Sequence, residues 1–490
     1  MDVIVIGAGS AGSVVARRLA DAGHTVTVLE AGGEDRNPAI HDPSRMGELW
    51  HSPDDWDYFT VPQEHAAGRR LHLPRGKVLG GSHALNAMIW VRCAPADYDG
   101  WAERGNDGWA WDDVRALFEE AEGMLSVTDD YPLDPIQESI IEAAVQEGLE
   151  RNPDYNGDHL DGVSQQQITL RDGRRWNTYM AYLKPVRDRV DVRTGCWVHR
   201  LLIERGVDGG PRVVGVEFEQ DGVLQQLRAD EVVLSAGAID SPRILLRSGI
   251  GPADELRELG IEPVADLPGV GRNLHDHLLS PVIFGTERPV GPPREGVSVT
   301  QSHLFWKSEP ELAVPDTQPI HFSVPMYQDG MTGPADGFSL MAGIVSPKAR
   351  GSVRLSGPGP RDPLLIDLDA LGHPDDVASL VASVRQCRSI GARPALAAWG
   401  ASEVHPGPEI GDEGLEDYVR RTAITYHHQV GTCAMGVGED AVVSPRLRVH
   451  GVDGLRVADA SVMPTVTTGN TNAPSVIIGE QAARFILADA

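Results

Sequence analysis

Three glycines near the amino terminus, Gly7, Gly9 and Gly12, have the spacing of a turn that binds the phosphates of a dinucleotide. They follow an apolar run of strand length at 2–6 and precede a helical pattern. Gly7 permits a tight turn, Gly9 lets the backbone approach a pyrophosphate, and Gly12 lets helix and strand pack closely. The amino end of the helix offers N–H groups and a positive dipole to phosphates. We therefore predict a dinucleotide site; the alternative is a glycine-rich turn without a ligand.

An acidic residue closes the next strand pattern, as this kind of site requires. Glu30 ends the apolar run 26–29, roughly 20 residues after the glycine turn. A carboxylate at this point can accept hydrogen bonds from both hydroxyls of a ribose. The residues predicted to form this part of the cofactor site are Gly7, Gly9, Ser10, Ala11, Gly12, Glu30 and Ala31.

Composition restricts the class of partner. The chain has 490 residues, enough for two to four domains, and a formal net charge of −28. A surface this acidic repels nucleic acids and anionic membranes, so we expect neither as a partner. No apolar stretch reaches the roughly 18 residues of a membrane helix, and no basic leader precedes the first strand. We expect a cytoplasmic protein without a membrane span.

The spacing of the cysteines and tryptophans does not indicate a catalytic or metal site. Cys93, Cys196, Cys387 and Cys433 are far apart, and no pair has the CxxC spacing of a redox disulfide or a zinc site. Four aromatic residues fall between 98 and 111, and such a cluster is more often core packing than a substrate box. They are Tyr98, Trp101, Trp109 and Trp111.

The pattern of elements indicates an α/β protein with a second sheet. Segments 212–218 and 223–228 predict a hairpin around Asp221-Gly222, and 231–234 predicts a buried strand followed by a helix at 241–248. Several strand-like runs between 298 and 345 suit a sheet in a second domain. Proline and glycine are dense at 281–296 and 351–363, which predicts loops or domain crossings there.

Further motifs identify a family that the chain resembles. They are the segment Arg-Gly-Lys-Val-Leu-Gly-Gly-Ser at 75–82, the segment Ser-Ala-Gly-Ala-Ile-Asp-Ser-Pro at 235–242, Pro-Gly-Val-Gly-Arg-Asn-Leu-His-Asp-His at 268–277, His-His-Gln-Val-Gly-Thr at 427–432, and Gly-Asn-Thr-Asn-Ala-Pro at 469–474. With the N-terminal glycine turn, these segments resemble the glucose–methanol–choline (GMC) family of FAD-dependent oxidoreductases from end to end and in the family's order.

The resemblance implies both a fold and a division into domains. A Rossmann-like FAD-binding domain would be discontinuous and would comprise 1–135, 190–285 and 425–490. A substrate-binding α+β domain built on an antiparallel sheet would comprise 136–189 and 286–424. The spacing of His275 and His277 alone would suit metal ligands on a strand. The family pattern implies instead that both are structural residues near the domain junction, so we predict no metal site.

The resemblance implies a reaction and two catalytic residues. An alcohol would lose its hydroxyl proton to a base and a carbon-bound hydride to the flavin. His428 lies three residues before the Gly-Thr pair, where the family has its active-site histidine, and a histidine suits this proton transfer. His427 is the competing candidate for the base. Asn470 matches the second catalytic position, where an amide can donate to the developing alkoxide.

The resemblance also assigns further cofactor contacts. We expect FAD to be bound noncovalently, since Leu85 stands where some family members carry a flavin-linked histidine, with His83 as the residue that could alter this. Asp459 has a simpler alternative as a turn cap. The cofactor residues implied by these motifs are Gly80, Gly81, Ser82, Asn86, Val198, Ala236, Gly237, Asp459, Ala460 and Asn472.

Three functions remain open on the sequence. The first is oxidation of a primary alcohol, an amino-alcohol as in choline dehydrogenase, an aryl alcohol or a sugar, with oxygen or a quinone-type carrier as electron acceptor. The second is a hydroxynitrile-type lyase on the same fold with structural FAD. The third is a flavin-binding protein without catalysis, which the presence of both His428 and Asn470 disfavours.

Overall fold

A parallel sheet of five strands forms the first half of the structure, a computed structural model that describes residues 1–490. Every neighbouring pair in this sheet is parallel. The central strands are nearly continuous apolar runs because helices cover both faces of such a sheet. In spatial order the strands are Leu455–Val457, Glu231–Leu234, Asp2–Ile6, Thr25–Leu29 and Asp191–Arg193.

The glycine turn leads directly from the central strand into a helix, as predicted. Helix Ser10–Asp21 packs against the C-terminal helix Asn472–Asp489. A Cβ atom at Gly12 would collide with the carbonyl oxygen of Gly7, so only glycine allows this close approach of helix and strand. The two ends of the chain therefore meet on the same side of the parallel sheet.

The predicted hairpin is confirmed as part of a three-stranded antiparallel sheet of strands Trp197–Arg205, Pro211–Gln220 and Val223–Arg228. The helix after Leu234 begins earlier than predicted and spans Gly237–Arg247, with Pro242 inside it. A proline lacks the N–H that would bond the carbonyl of Ala238. The hydroxyl of Thr432 donates to that carbonyl instead, which allows the helix to include the proline.

A seven-stranded sheet forms the second half of the structure, and its strands pair antiparallel. The strands predicted between 298 and 345 are confirmed within it. In spatial order it contains Ser402–His405, Leu278–Gly285, Gly337–Ile344, Ile320–Phe322, Thr300–Phe305 and Gly162–Gln165, and Ile424–Thr425 pairs with Leu278–Gly285 beside Ser402–His405.

The loop predicted at 281–296 was wrong at its start, because Pro281 lies inside strand Leu278–Gly285. On one side this strand pairs with Ile424–Thr425 through residues 278–279 and with Ser402–His405 through residues 283–285. Pro281 falls in the gap between these two partners, where a strand residue without an N–H costs no ladder hydrogen bond. The strand also lies in the seven-stranded sheet, whereas the predicted boundary at 285 assigned it to the FAD domain.

The second predicted loop, 351–363, was also partly wrong. Residues Ser352–Leu355 form a strand that pairs antiparallel with Leu364–Asp367, and only the stretch between them is a loop. The glycines and prolines of this region thus mark the connection of a hairpin. Density of these residues locates a turn, but it does not show how far the flanking strands extend toward it.

Helices complete the two halves. One face of the seven-stranded sheet packs against helix Pro374–Gly391, and none of the helices is long and apolar enough to span a bilayer. Tyr98, Trp101 and Trp109 are fully buried among one another, so the prediction that this aromatic cluster is core packing is confirmed. The other α-helices of six residues or more are Pro95–Glu103, Trp111–Leu125, Pro135–Gln146, Ala253–Glu258 and Leu415–Thr422.

Candidate active site

One large cavity lies between the two sheets and extends from the N-terminal glycine turn to strand Ile320–Phe322. It brings most of the predicted site residues together. Gly12 packs against Gly7, and Gly80 lies against the side chain of Asn177, so neither of these two lines the cavity. The predicted residues that do line it are Gly7, Gly9, Ser10, Ala11, Glu30, Ala31, Gly81, Ser82, Asn86, Val198, Ala236, Gly237, His428, Asp459, Ala460, Asn470 and Asn472.

Gly9 has no structural reason within the protein to be a glycine. Its φ and ψ, −80° and −158°, are open to any residue, and a Cβ atom built there would approach only the Cα of Gly81, at 3.8 Å. By contrast, Gly81 has φ +53°, and a Cβ on it would lie 2.7 Å from the Cα of Gly9. The space above Gly9 is therefore free for a ligand that needs close contact with the backbone, as a pyrophosphate does.

At the end of the cavity next to the glycine turn, the carboxylate of Glu30 is held by backbone hydrogen bonds. Glu30 accepts hydrogen bonds from the backbone N–H groups of Ala8 (2.9 Å) and Gly32 (2.8 Å). Burial raises the pKa of Glu30 to about 7, and the two backbone donors oppose that shift. This places a fixed carboxylate at the end of strand Thr25–Leu29, where the sequence predicts the ribose contact.

Asn472 has an unused donor in the cavity. Its Oδ1 accepts a hydrogen bond from the hydroxyl of Ser10 at 2.7 Å, whereas its buried Nδ2 has no partner within the protein. Buried polar groups are nearly always paired, so this donor fits a cofactor with acceptor atoms at this place. Asp459 accepts from the backbone N–H groups of Gly237 and Ser461, so the cap that was its alternative role is present, and it also lines the cavity.

His428 and Asn470 meet at the other end of the cavity. The Nδ2 of Asn470 lies 3.1 Å from the Nε2 of His428, and each side chain is buried. The Oδ1 of Asn470 accepts a hydrogen bond of 2.9 Å from Nε2 of Gln318, which orients the Asn470 amide so that Nδ2 faces the imidazole. Nε2 of His428 is then an acceptor with a lone pair directed at the Asn470 donor.

The backbone and ring of His428 are fixed by two further contacts. Its backbone N–H donates to Oδ1 of Asp276 at 2.7 Å, and the ring of Tyr426 stacks on its imidazole with centroids 4.6 Å apart. Burial raises the pKa of Asp276 to about 7. These contacts come from two segments, 275–278 and 424–430, that run antiparallel to each other where they join the seven-stranded sheet.

His277 contacts His428 directly, which the sequence did not predict. The two Nδ1 atoms are 3.0 Å apart, and both rings are buried. Since Nε2 of His428 is an acceptor, its proton lies on Nδ1 and is donated to Nδ1 of His277. His275, two residues away, instead donates from Nδ1 to the carbonyl of Asn273 and accepts from the N–H of Val466, so the two histidines do not converge as metal ligands.

Burial keeps these imidazoles neutral. The pKa of His428 is lowered well below its usual value, first by burial and then by the nearby His277, His427 and Arg75. The pKa of His277 is lowered to about 3 by burial. A neutral histidine whose Nε2 lone pair faces a cavity is competent to accept a proton.

His427 occupies a different place. Its Nδ1 lies 2.7 Å from the hydroxyl of Thr425, its ring meets that of Trp50 edge-on, and its carbonyl accepts from Arg75. Its φ of +68° is in the left-handed region, which turns the chain so that successive side chains diverge. Of the two adjacent histidines, the structure brings only His428 to Asn470.

His83 does not face the cavity. Its Nε2 lies 3.0 Å from the hydroxyl of Thr169, and the residue is fully buried. Leu85 lines the cavity in its place. The sequence did not predict the contacts that His277, Gln318 and Arg75 make in this site. The His-Asp-His spacing at 275–277 was a signal that could have indicated His277. No sequence pattern pointed to Gln318.

The structure thus places a glycine turn of the dinucleotide-binding type and the buried His428–Asn470 pair in one cavity. Sequence models of the GMC oxidoreductases match residues 1–279 and 347–479. The chain is 37% identical to an alcohol dehydrogenase [acceptor] of Pseudomonas putida and 37% identical to an oxygen-dependent choline dehydrogenase of Rhizobium etli, each covering 99% of this chain and 95% of the relative. The chain therefore belongs to the GMC oxidoreductase family, which confirms the resemblance read from its motifs.

Solved structures agree with that assignment. Pyridoxine 4-oxidase from Mesorbium loti superposes with a TM-score of 0.91 at 34% identity, covering 99% of this chain and 98% of its own. A formate oxidase superposes with a TM-score of 0.90 at 25% identity, covering 100% and 98%. The predicted fold class, an α/β Rossmann-like part with a second part built on an antiparallel sheet, is confirmed.

Proposed function

We propose that this enzyme oxidises the CH–OH group of a small alcohol to an aldehyde or ketone with FAD as cofactor. The observation that carries the proposal is the pair formed by His428 and Asn470, 3.1 Å apart in the same cavity as the backbone opening at Gly9. The names of the relatives, an alcohol dehydrogenase and choline dehydrogenases, support this class of donor.

The proton of the alcohol would go to His428. A hydroxyl placed between the two side chains would donate to Nε2 of His428 and accept from Nδ2 of Asn470, replacing the direct contact between them. As the proton moves to Nε2, negative charge develops on the alcohol oxygen, and the amide of Asn470 stabilises it without titrating. The imidazolium formed would keep its Nδ1–H hydrogen bond to His277, which accepts at Nδ1.

Bound FAD would supply the acceptor for the hydride that leaves the carbinol carbon. The residues that would hold it are Gly7, Gly9, Ser10 and Ala11 at the helix terminus, Glu30 and Ala31 toward the ribose, and the lining segments around 81–86, 236–237, 459–460 and 472. We propose noncovalent binding, because His83 points away from the cavity toward Thr169 and Leu85 offers no nucleophile.

The electron acceptor in the second half-reaction would be oxygen or a quinone-type carrier. Polarography separates these: uptake of oxygen during turnover indicates an oxidase, whereas dye reduction without oxygen uptake indicates a dehydrogenase. Either outcome leaves the alcohol half-reaction unchanged, since the residues that act on the alcohol are the same.

An anaerobic titration tests the proposal. The yellow protein is mixed with a panel of alcohols, including benzyl alcohol, 1-hexanol and choline, and the flavin absorbance near 450 nm is followed. Loss of the band supports alcohol oxidation. A band that no alcohol bleaches, together with release of cyanide from a cyanohydrin, would instead indicate the lyase alternative.

A further inference from the structure

The part of the cavity next to the catalytic pair is formed by one face of the seven-stranded sheet. Gln318, Ile320 and Phe322 alternate along one segment, so their side chains point to the same face, about 6.6 Å apart. Met341 lies directly opposite Ile320 on the neighbouring strand. Because Gln318 bonds Asn470, this face begins at the catalytic pair and continues outward through apolar side chains.

The next strand extends the same apolar surface. Leu279 lies opposite Gly343, two positions from Met341 on the same face, and it lines the cavity. Phe322 follows at the outer end. The apolar side chains that this sheet presents to the cavity are Leu279, Ile320, Phe322, Met341 and Ile424, which we call the apolar wall.

Every carboxylate that lines the cavity lies away from the apolar wall and is already engaged. Glu30 is bonded to the backbone of the glycine turn, Asp240 is paired with Arg243 and with the Tyr58 hydroxyl, and Asp459 is bonded to Gly237 and Ser241. Asp276 bonds the backbone N–H of His428 but does not line the cavity, whereas the buried guanidinium of Arg75 does. A positively charged substrate would meet no counter-ion beside the apolar wall.

Aromatic rings do not replace the missing counter-ion. A quaternary ammonium can be held by the faces of several rings that surround it. Here one face of Tyr426 is covered by the imidazole of His428, and the rings of Trp50 and Trp56 line the cavity outside the apolar wall. Phe322 is the single aromatic residue of the apolar wall, so the wall itself contains no cage of ring faces.

We infer that the substrate is an uncharged alcohol with an apolar alkyl or aryl body, and that choline is excluded. The inference rests on the proposed function and specifies its substrate class. The apolar wall determines the specificity, because transferring a cation from water to an apolar surface without a counter-ion is strongly unfavourable. In this respect the chain departs from the choline dehydrogenases with which it shares 36–37% identity.

An isosteric pair of substrates tests this directly. Choline and 3,3-dimethylbutan-1-ol have the same shape and differ only in the charge at the central atom. We expect kcat/KM for anaerobic flavin reduction to favour the neutral alcohol by about 100-fold or more. Equal values, or a preference for choline, would overturn the inference while leaving alcohol oxidation intact. If no alcohol of the wider panel reduces the flavin, the proposed function fails and the inference fails with it.

A matched pair of variants locates the effect. Ile320→Glu places a carboxylate in the apolar wall, and Ile320→Gln places a polar group of the same shape without the charge. We expect Ile320→Glu to have a kcat/KM for choline at least about tenfold above that of Ile320→Gln, while both lower kcat/KM for 3,3-dimethylbutan-1-ol. Identical choline activity in the two variants, each shown to be folded by circular dichroism, would contradict the role of the apolar wall.

Discussion

The Nδ1 atom of His277 lies 3.0 Å from the Nδ1 atom of His428, and the two rings are nearly perpendicular. Because Nε2 of His428 faces the amide donor of Asn470, the proton of His428 lies on Nδ1 and is donated to His277. In the proposed mechanism His277 is thus a positioning residue, which holds His428 in the tautomer whose Nε2 can accept a proton.

Replacement of His277 by phenylalanine should therefore slow alcohol oxidation without abolishing it. The buried Nδ1–H of His428 would lose its acceptor, at a cost of about 1–3 kcal/mol, or roughly 10–100-fold in rate. We expect kcat to fall while KM changes little, as measured by anaerobic stopped-flow reduction of the flavin. His277→Asn offers an amide oxygen near the same place and should restore part of the rate; equal losses in both variants would indicate a merely structural role.

Comparison of the two adjacent histidines tests the choice of base. His428→Ala should retain FAD and lose flavin reduction by about 10²–10⁴-fold, because it removes the proton acceptor. His427→Ala removes a ring that contacts Thr425 and Trp50 and should cost less than about tenfold. The measurement is the rate of anaerobic reduction at saturating alcohol. A larger loss in His427→Ala would reverse the assignment.

Two glycines of the N-terminal turn should respond differently to the same substitution. Gly9→Ala adds a methyl group that meets no protein atom closer than 3.8 Å, so the protein should fold with unchanged thermal stability but bind FAD more weakly, by at least about tenfold. Gly12→Ala drives the same methyl group into the Gly7 carbonyl and should impair folding itself. Melting temperatures and FAD titrations of the apoproteins separate the two effects. Unchanged FAD affinity in Gly9→Ala would contradict the placement of the pyrophosphate.

Acid should destabilise the apoprotein steeply. Burial lowers the pKa of six histidines to about 3, and that of His428 well below 6.5, so these groups take up protons on unfolding once the pH falls below about 6.5. The six are His83, His275, His277, His303, His321 and His427.

Four buried carboxyls act in the opposite direction, and one of them is Asp459, whose pKa is also raised by burial. Burial raises the pKa of Asp97 to about 6 and the pKa values of Glu30 and Asp276 to about 7, so these groups are already protonated in the folded state near pH 5 and favour folding as the pH falls. Because seven histidines stand against four carboxyls, unfolding near pH 5 takes up protons on balance. The free energy of unfolding should therefore fall as the pH is lowered from about 6.5 toward 5.

Calorimetry between pH 7.5 and 5 measures this slope. His321→Gln removes one buried imidazole that bonds only the hydroxyl of Ser302, and it should reduce the slope by about one proton. A stability that stays constant to pH 5 would show that the buried histidines are protonated in the folded state.

The sequence alone determined the features that depend on neighbouring residues. The glycine turn, the strands beside it, the acid at Glu30 and the hairpin at 211–228 follow from local spacing, because a turn and its flanking periodicity lie within one short segment. The family motifs placed His428 and Asn470 as a pair, although 42 residues separate them.

Only the tertiary structure decided which side chains complete the site. His277 and Gln318 reach the His428–Asn470 pair across 151 and 152 residues of sequence, and Pro281 lies in a strand because its two neighbouring strands leave a gap beside it. No local periodicity encodes such contacts, since they arise where two sheets pack against each other. The apolar wall appears for the same reason: Leu279, Ile320 and Met341 are ordinary strand residues until strand pairing places them on one face, next to the base.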